Sequence, residues 1–303
     1  MPSSAPNSRP HVAVLMAAYN GVEWLFEQVE SILQQKHVDV TIYASVDRSD
    51  DGTHEWLVEY GQRNPALRVL PSGVFGGAGK NFFRLLRDVD VSSYDYVAFS
   101  DQDDIWHSDK LITAHEIIRS GVADAYSANV TAFWSGGRKK LINKAFAQKR
   151  YDYFFEAAGP GCTYVLRRCL AQDFQRFIKS HWQSVNAVAL HDWLIYAWAR
   201  SSGWVWFIDA RPKLDYRQHA TNQMGANSGL KPILKRLNLV REGWYRGEVE
   251  KIAALLQAER EASPDRPEID ISNRWFLLRN IGQTRRNPKD RLVFLIMLLL
   301  NIY

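Results

Sequence analysis

Residues 11–18, His-Val-Ala-Val-Leu-Met-Ala-Ala, form a near-continuous apolar run that breaks at Asn20-Gly21. A strand with one wet face alternates polar and apolar side chains, whereas a parallel strand covered on both faces is apolar throughout. The run therefore calls for a sheet held between two layers of helices. The chain that follows keeps to that plan. Val22, Leu25, Val29, Ile32 and Leu33 recur at helical spacing and give an amphipathic helix over residues 22–35. A second strand is expected over 38–46, a second helix over 53–60 and a short third strand over 67–70. Phe82, Phe83, Leu85 and Leu86 mark a third helix, and residues 96–100 a fourth strand. Alternating strands and helices indicate an α/β fold with an open, doubly wound sheet and helices on both faces.

In such sheets a ligand sits beyond the carboxyl ends of the strands. Tyr19-Asn20, Asp47 and the quartet Asp101-Gln102-Asp103-Asp104 all fall at such ends. Unpaired carboxylates at the end of a buried strand cost several kcal/mol or must protonate. Mg²⁺ or Mn²⁺, which takes one or two carboxylates and fills its shell with water and phosphate oxygens, would relieve that cost. Asp-x-Asp after a strand thus proposes a metal–diphosphate site. The alternative is an acidic turn leading into the next helix, with Ser108 or Asp109 as its N-cap.

The second half is less regular. Residues 139–155 read as loop and short helix, followed by the tight Gly159-Pro160-Gly161 turn and a strand over 162–166. A helix over 192–200 and a strand over 204–208 precede Leu214-Asp-Tyr-Arg-Gln-His219. From residue 230 the chain reads as mostly helical, interrupted at Pro232, Pro264 and Pro267. This divides it into a polar, disordered leader (1–10), a main domain (11–229, with halves over 11–110 and 111–229) and a basic helical extension (230–303).

Composition excludes several classes. A hydrophobic fraction of 46% with 13% aromatic residues excludes a disordered chain. Cys162 and Cys169 match neither a zinc site nor a disulfide framework, so a reducing compartment fits. The first ten residues lack the apolar core of a secretory signal, and the sequon at Asn129 then carries no meaning. The net charge of +5 is concentrated between Lys231 and Arg291, where 14 Lys and Arg face 9 Asp and Glu. Beyond that lies an unbroken apolar run from Leu292 to Leu300. It is shorter than the about 20 residues a bilayer span needs, which leaves an interfacial anchor on anionic lipid or a last helix docked on the core. No basic-aromatic platform points to nucleic acid.

Three nucleotide or hydrolase signatures fail. The glycines of residues 73–79 before Lys80 are spaced one residue too long for a P-loop, and Asn81 stands where Ser or Thr is required. No Gly-x-Gly-x-x-Gly follows the first strand, and no Gly-x-Ser-x-Gly elbow occurs.

Four ordered blocks carry a more specific likeness: Ala17-Ala-Tyr-Asn-Gly21, Asp47-Arg-Ser-Asp-Asp-Gly-Thr53, Ser100-Asp-Gln-Asp-Asp-Ile-Trp106, and His191-Asp-Trp193 followed by Tyr216-Arg-Gln-His219. Together, over about residues 11–225, they resemble family 2 glycosyltransferases of the GT-A fold, in particular the rhamnosyltransferase-like branch. The resemblance implies inverting transfer of a sugar from a nucleoside diphosphate to a hydroxyl, with a mixed GT-A sheet. It makes Asp103 the principal metal ligand, Asp101 a ligand or ribose contact, and leaves Asp104 between a supporting and a donor-sugar role. Tyr19 and Asp47 fall at nucleobase positions, where a ring stacks on tyrosine and a carboxylate accepts the N3–H of uracil or thymine, and Ala18 and Asn20 are implied beside them in donor binding. The family usually has two adjacent acids where this chain has Val46-Asp47; otherwise Tyr19 is a core residue.

Asp192 takes the place of the general base, which single-displacement inversion requires opposite the leaving group. Read alone, it would be a helix N-cap. His219 is implied in the metal shell or at the diphosphate, and Arg217 at the diphosphate by charge. Lys80 and Asn81 match a donor-side pair, the alternative being a solvated helix start. Gly161 and Cys162, with His191 and Trp193, fall on the acceptor side, Cys162 as a small packed side chain.

The leading expectation is a Mg²⁺- or Mn²⁺-dependent transferase using dTDP-rhamnose. Its acceptor is a cell-surface polysaccharide or lipid-linked glycan, at the cytoplasmic face of a membrane. A UDP-hexose or UDP-N-acetylhexosamine donor on the same fold is the nearest alternative. A glycosidase using Asp104 and Asp192 and a carbohydrate-binding scaffold are the others.

Overall fold

The computed structural model describes residues 9–219, 243–261, 270–271 and 273–303. Most of the expected leader, together with Pro232, Pro264 and Pro267, lies outside the described residues. The main sheet is built from β1 (His11–Ala18), β2 (Asp39–Val46), β3 (Leu67–Val69), β4 (Tyr96–Ser100), β6 (Ala125–Ala128), β9 (Val165–Arg167) and β10 (Trp206–Asp209). Their order is β10-β6-β9-β4-β1-β2-β3. β1 lies inside, parallel to β2 and β4, and β9 runs antiparallel between β4 and β6, so the sheet is mixed.

The unbroken apolar character of β1 has the expected cause. Val12, Val14, Met16 and Ala18 point into one core with Leu25, Val29 and Ile32 of α1 (Val22–Leu33) and Leu111, Ala114 and Ile118 of α4 (Lys110–Arg119). Leu15 and Ala17 point into the other, against Phe82, Phe83, Leu85 and Leu86 of α3 (Ala78–Asp88). That second core also takes Phe174 and Phe177 of α5 (Arg168–Ser180) and Leu194, Ile195 and Trp198 of α7 (His191–Ser201). The helices α2 (Thr53–Arg63) and α6 (Trp182–Val185) complete this half.

A second, four-stranded sheet consists of β5 (Ile105–Trp106), β7 (Val130–Trp134), β8 (Lys139–Ile142) and β11 (Leu214–Gln218), ordered β5-β11-β7-β8. Residues 139–142, expected as loop, are its edge strand. Lys139 and Lys140 lack strand propensity, and pairing with β7 supplies the missing order. Cys162 and Thr163, expected in a strand, instead form a 3₁₀ turn, Gly161–Thr163. Thr163 closes that turn by donating both its backbone N–H (3.0 Å) and its hydroxyl (2.7 Å) to the Pro160 carbonyl.

The C-terminal helices are α8 (Trp244–Glu261), α9 (Arg274–Arg279) and α10 (Pro288–Leu299). Val249, Ile252, Leu255, Leu277, Phe294 and Leu298 enter the core that α3, α5 and α7 share. Arg286, buried, latches this segment to the catalytic half. Its guanidinium donates to Asp152 at 3.3 Å, and its backbone N–H to Glu156 at 2.6 Å. Removing one member of such a buried pair typically costs about 3–5 kcal/mol. Among the described residues no helix is long and apolar enough to cross a membrane.

Candidate active site

The first two blocks meet because β1 and β2 are in register and their ends are sewn together. Ser49 accepts the Asn20 N–H at 3.0 Å, Asn20 Oδ1 accepts the Asp50 N–H at 3.0 Å, and Asp51 accepts the Val22 N–H at 3.0 Å. Asn20 thus spends its side chain on the loop, with a left-handed backbone (φ 42°) that asparagine tolerates. Ala18 is a core residue whose carbonyl accepts the Asp47 N–H at 2.9 Å, so its side chain is not available to a donor. Tyr19 is the reverse case. Its ring is 58% exposed, which rules out core packing and leaves a free apolar face.

Asp47 differs from expectation. Its Oδ1 accepts from Arg48 and Phe75 N–H at 3.0 Å, and its Oδ2 from Gly76 at 3.0 Å and Gly77 at 3.3 Å. A carboxylate has about four lone-pair sites, and the glycine-rich loop fills them. The residue shapes a loop; a base N–H would have to share or displace one of those donors. Lys80 lies over the same loop, its Nζ 3.8 Å from where a Gly76 Cβ would stand. Asn81 is buried beneath it and braces α3 on β2, its Nδ2 donating to the Ser45 carbonyl at 2.9 Å, while its Oδ1 meets no donor among the described residues.

The acidic quartet begins where β4 ends. Gln102 folds back to make a two-way amide pair with the Tyr19 backbone, accepting its N–H at 2.7 Å and donating to its carbonyl at 2.8 Å. Gly21 permits this, since a Cβ there would fall 2.2 Å from the Gln102 side chain. Asp103 Oδ2 stands 2.6 Å from His219 Nε2, and the His219 ring stacks on Trp24 at 4.1 Å. Asp104 is buried. Its Oδ1 accepts the Arg217 N–H at 3.1 Å, while its Oδ2 meets no N–H or O–H donor among the described residues. Ligand atoms of Asp101, Asp104 and Cys162 lie within 4.8 Å of one another.

Burial, with the charges of Asp103 and Asp192 nearby, pushes the Asp101 carboxyl up to about 7. Burial and then Asp103 and Asp101 push Asp104 well above the usual carboxylate range. Negative charge is therefore in excess here, which fits a divalent cation. Asp101, Asp103 and His219 are the groups that could hold one, the two carboxylates with oxygens that suit a hard ion and the imidazole with a nitrogen. Cys162 does not suit it: burial and the neighbouring acids hold its thiol protonated. Its side chain lies against this acidic cluster.

Arg217 is already engaged. Its Nε donates to the Asp103 carbonyl at 2.8 Å, its terminal nitrogen pairs with Glu27, and its guanidinium lies over Phe133. It orders the acidic loop.

Asp192 opens α7. It accepts the Trp193 N–H at 2.8 Å and the Gly161 N–H, and burial raises it to about 6. Its charge reaches Asp101, so the proposed base and the acidic cluster belong to one electrostatic unit. Gly161 is a glycine for space: a Cβ would lie 2.5 Å from His191 Nε2. His191 stacks on Phe82 at 4.0 Å and is driven down to about 3 by burial, so it is a neutral core ring, not an acceptor contact. Trp193 is likewise buried, donating to the Tyr153 carbonyl at 3.0 Å.

Lys110 and Lys144 are absent from the expected set. Lys110 is fully buried, donates to the Cys162 carbonyl at 2.7 Å and sits 2.9 Å from the Trp106 ring centroid. Burial lowers its pKa, and the Asp104 and Asp101 charges oppose that fall. Lys144 is the cation whose charge reaches Asp192. Neither lies in a motif that announces chemistry; a lysine just inside a helix reads as a solvated face.

The sequence model of glycosyl transferase family 2 matches residues 13–171. A dTDP-rhamnosyl transferase of Shigella flexneri, RfbG, is 45% identical over 290 residues, covering 95% of this chain and all of that one. TuaG of Bacillus subtilis, a putative teichuronic acid glycosyltransferase, is 31% identical over 35% of this chain and 40% of its own. Among solved structures, S. aureus TarS 1–349 with UDP-GlcNAc superposes with TM-score 0.57 at 15% identity, over 96% of this chain and 79% of that one. The mannosyltransferase PcManGT of Pyrobaculum calidifontis, with GDP-Man and Mn²⁺, superposes with TM-score 0.52 at 15% identity, over 99% and 88%. The mixed sheet described above is the GT-A fold of these transferases.

Proposed function

The chain belongs to glycosyl transferase family 2, and from that premise we propose that this glycosyltransferase moves rhamnose from dTDP-rhamnose to a glycan hydroxyl with inversion. The observation that carries the donor is the 45% identity with a dTDP-rhamnosyl transferase along its entire length. For the mechanism it is the pairing of His219 with Asp103 beside Asp101, whose carboxyl feels the charges of both Asp103 and Asp192.

In this reading Tyr19 offers its exposed ring to the thymine, and the loop fixed by Asp47, with Lys80 above it, forms the wall beside it. Asp101, Asp103 and His219 would hold Mg²⁺ or Mn²⁺. Such an ion, when bound, stabilises the negative charge that builds on the departing diphosphate. Asp192 takes the proton of the acceptor hydroxyl as its oxygen bonds to the anomeric carbon and the bond from that carbon to the diphosphate oxygen breaks. A carboxylate raised towards neutrality by burial is a stronger base than an exposed one. Gly161 keeps this side open for the acceptor, and Lys110 anchors the Gly161–Thr163 turn from below.

The acceptor we propose is a cell-surface polysaccharide or lipid-linked glycan, met at the cytoplasmic face of a membrane. Residues 11–110 then serve the donor, 111–229 the acceptor, and 230–303 form a helical extension. The test is thermal protection by dTDP, UDP, GDP and CDP with and without Mn²⁺, followed by product detection from dTDP-rhamnose against UDP-hexose and UDP-N-acetylhexosamine donors. Preference for dTDP and product from dTDP-rhamnose support the assignment. Turnover of a UDP-sugar alone would replace it.

A further inference from the structure

An exposed helix normally turns polar side chains to water; α10 does the opposite. Leu292, Val293, Ile296, Leu299 and Leu300 are 57, 56, 46, 57 and 65% exposed, while Phe294 and Leu298 on the other side are buried. Leu292, Ile296 and Leu299 are spaced as one helical stripe, flanked by Val293 and Leu300, with exposed Lys289 at its start. Arg274 of α9 donates to the Leu299 carbonyl at 2.9 Å and so ties its own neighbour, the 70% exposed Trp275, to the end of that stripe. A contiguous apolar face of this kind marks a docking surface.

We propose that this outer face of α10 lies on an anionic lipid surface, parallel to it. Three observations favour lipid over a second copy of the chain. First, residues 270–303 carry five Lys and Arg besides the buried Arg286, against Asp270 and Asp290, and Arg279 and Lys289 among them are exposed. An isologous dimer through this face would set like charges against each other, whereas anionic headgroups meet them with the opposite sign. Second, the face is one convex helix with a tryptophan beside it, the form that half-sinks into the headgroup boundary. Third, the inner side of α10 is committed to the core through Phe294 and Leu298, so the helix cannot rotate that face away from water. The twelve residues of α10 are too few to span, which leaves lying on the surface. This inference does not depend on the donor: a transferase of any other sugar would keep the same face.

The experiment is co-sedimentation of the full chain with vesicles of phosphatidylcholine alone or mixed with phosphatidylglycerol. The chain is expected to sediment with the mixed vesicles and to remain in solution with the neutral ones. The double variant Ile296→Glu, Leu299→Glu should lower that partition at least about tenfold, while Val122→Glu, an exposed apolar site elsewhere, should leave it unchanged. Charge reversal at Arg279 and Lys289 provides a second reading that leaves the apolar face intact, with the same direction expected. Activity on a soluble acceptor should not change in either variant. Equal binding by wild type and variants, or no preference for anionic vesicles, overturns the proposal. So does a dimer in light scattering that the double variant splits into monomers.

Discussion

His219 Nε2 stands 2.6 Å from Asp103 Oδ2 although 116 residues separate them. The two are joined by β11 returning beside β5, which brings the block after residue 214 back onto the acidic loop. Trp24 stacks on the outer side of the imidazole and fixes its plane. Asp103→Asn or His219→Ala should therefore cost about 10–100-fold in Mn²⁺ affinity while leaving the fold intact. Isothermal titration with Mn²⁺ and dTDP reads this directly. Unchanged metal binding in both variants would remove the pair from the site.

Asp192→Asn should lower kcat by about 10²–10⁴-fold and leave dTDP protection in thermal unfolding nearly intact. With the wild type, kcat/KM should rise with pH and level off above about 6, since a base acts only when deprotonated and burial places Asp192 there. A bound cation would move that limb lower, not higher. Equal loss of binding and turnover would mean that Asp192 merely caps α7.

Tyr19→Ala should raise the donor KM by about 10-fold, corresponding to about 1–2 kcal/mol of base stacking, without lowering Tm, because the ring packs on nothing that folding buries. A drop in Tm with an unchanged KM would reverse the assignment.

Asp47→Ala behaves differently if its carboxylate holds the loop. Losing four accepted N–H bonds should destabilise the nucleotide-free protein by about 2–3 kcal/mol. Urea unfolding without ligand measures it. A variant of wild-type stability that fails only in donor binding would restore the direct base contact.

Asp101 and Asp192 titrate at about 7 and about 6, above ordinary carboxylates. Between about pH 4 and those values the folded protein binds more protons than the unfolded one, so these groups lower metal-free stability as pH rises. A cation offsets that loss and competes with the same protons. The Tm gain from Mn²⁺ should thus be small at about pH 5 and grow to about pH 7.5. A gain independent of pH would place the metal elsewhere.

Most of residues 11–100 was legible because the elements there are built from local signals. β1 and β4 have the expected limits, since nothing but burial on both faces decides them. The 3₁₀ turn at Cys162 was not legible, because Lys110, 52 residues away, holds its carbonyl. β8 depends on a partner strand and not on its own residues. Among site residues, Tyr19 is exposed, and Asp192 opens α7 beside the Gly161 turn. Ala18, Asn20, His191 and Trp193 sit inside the blocks, and Asn81 outside them, yet all spend themselves on packing or loop bonds. A motif keeps scaffold and reactive groups side by side, and only the hydrogen-bond partners tell them apart.

The amide clasp between Gln102 and the Tyr19 backbone has one more consequence. It welds the Tyr19 backbone to the acidic loop before any donor arrives, so in the proposed site the gap from base to leaving group is preset like the jaws of a caliper. A nucleotide one phosphate short would reach one jaw and miss the other. dTMP is accordingly expected to protect far less than dTDP in the presence of Mn²⁺, and Gln102→Ala to narrow that difference.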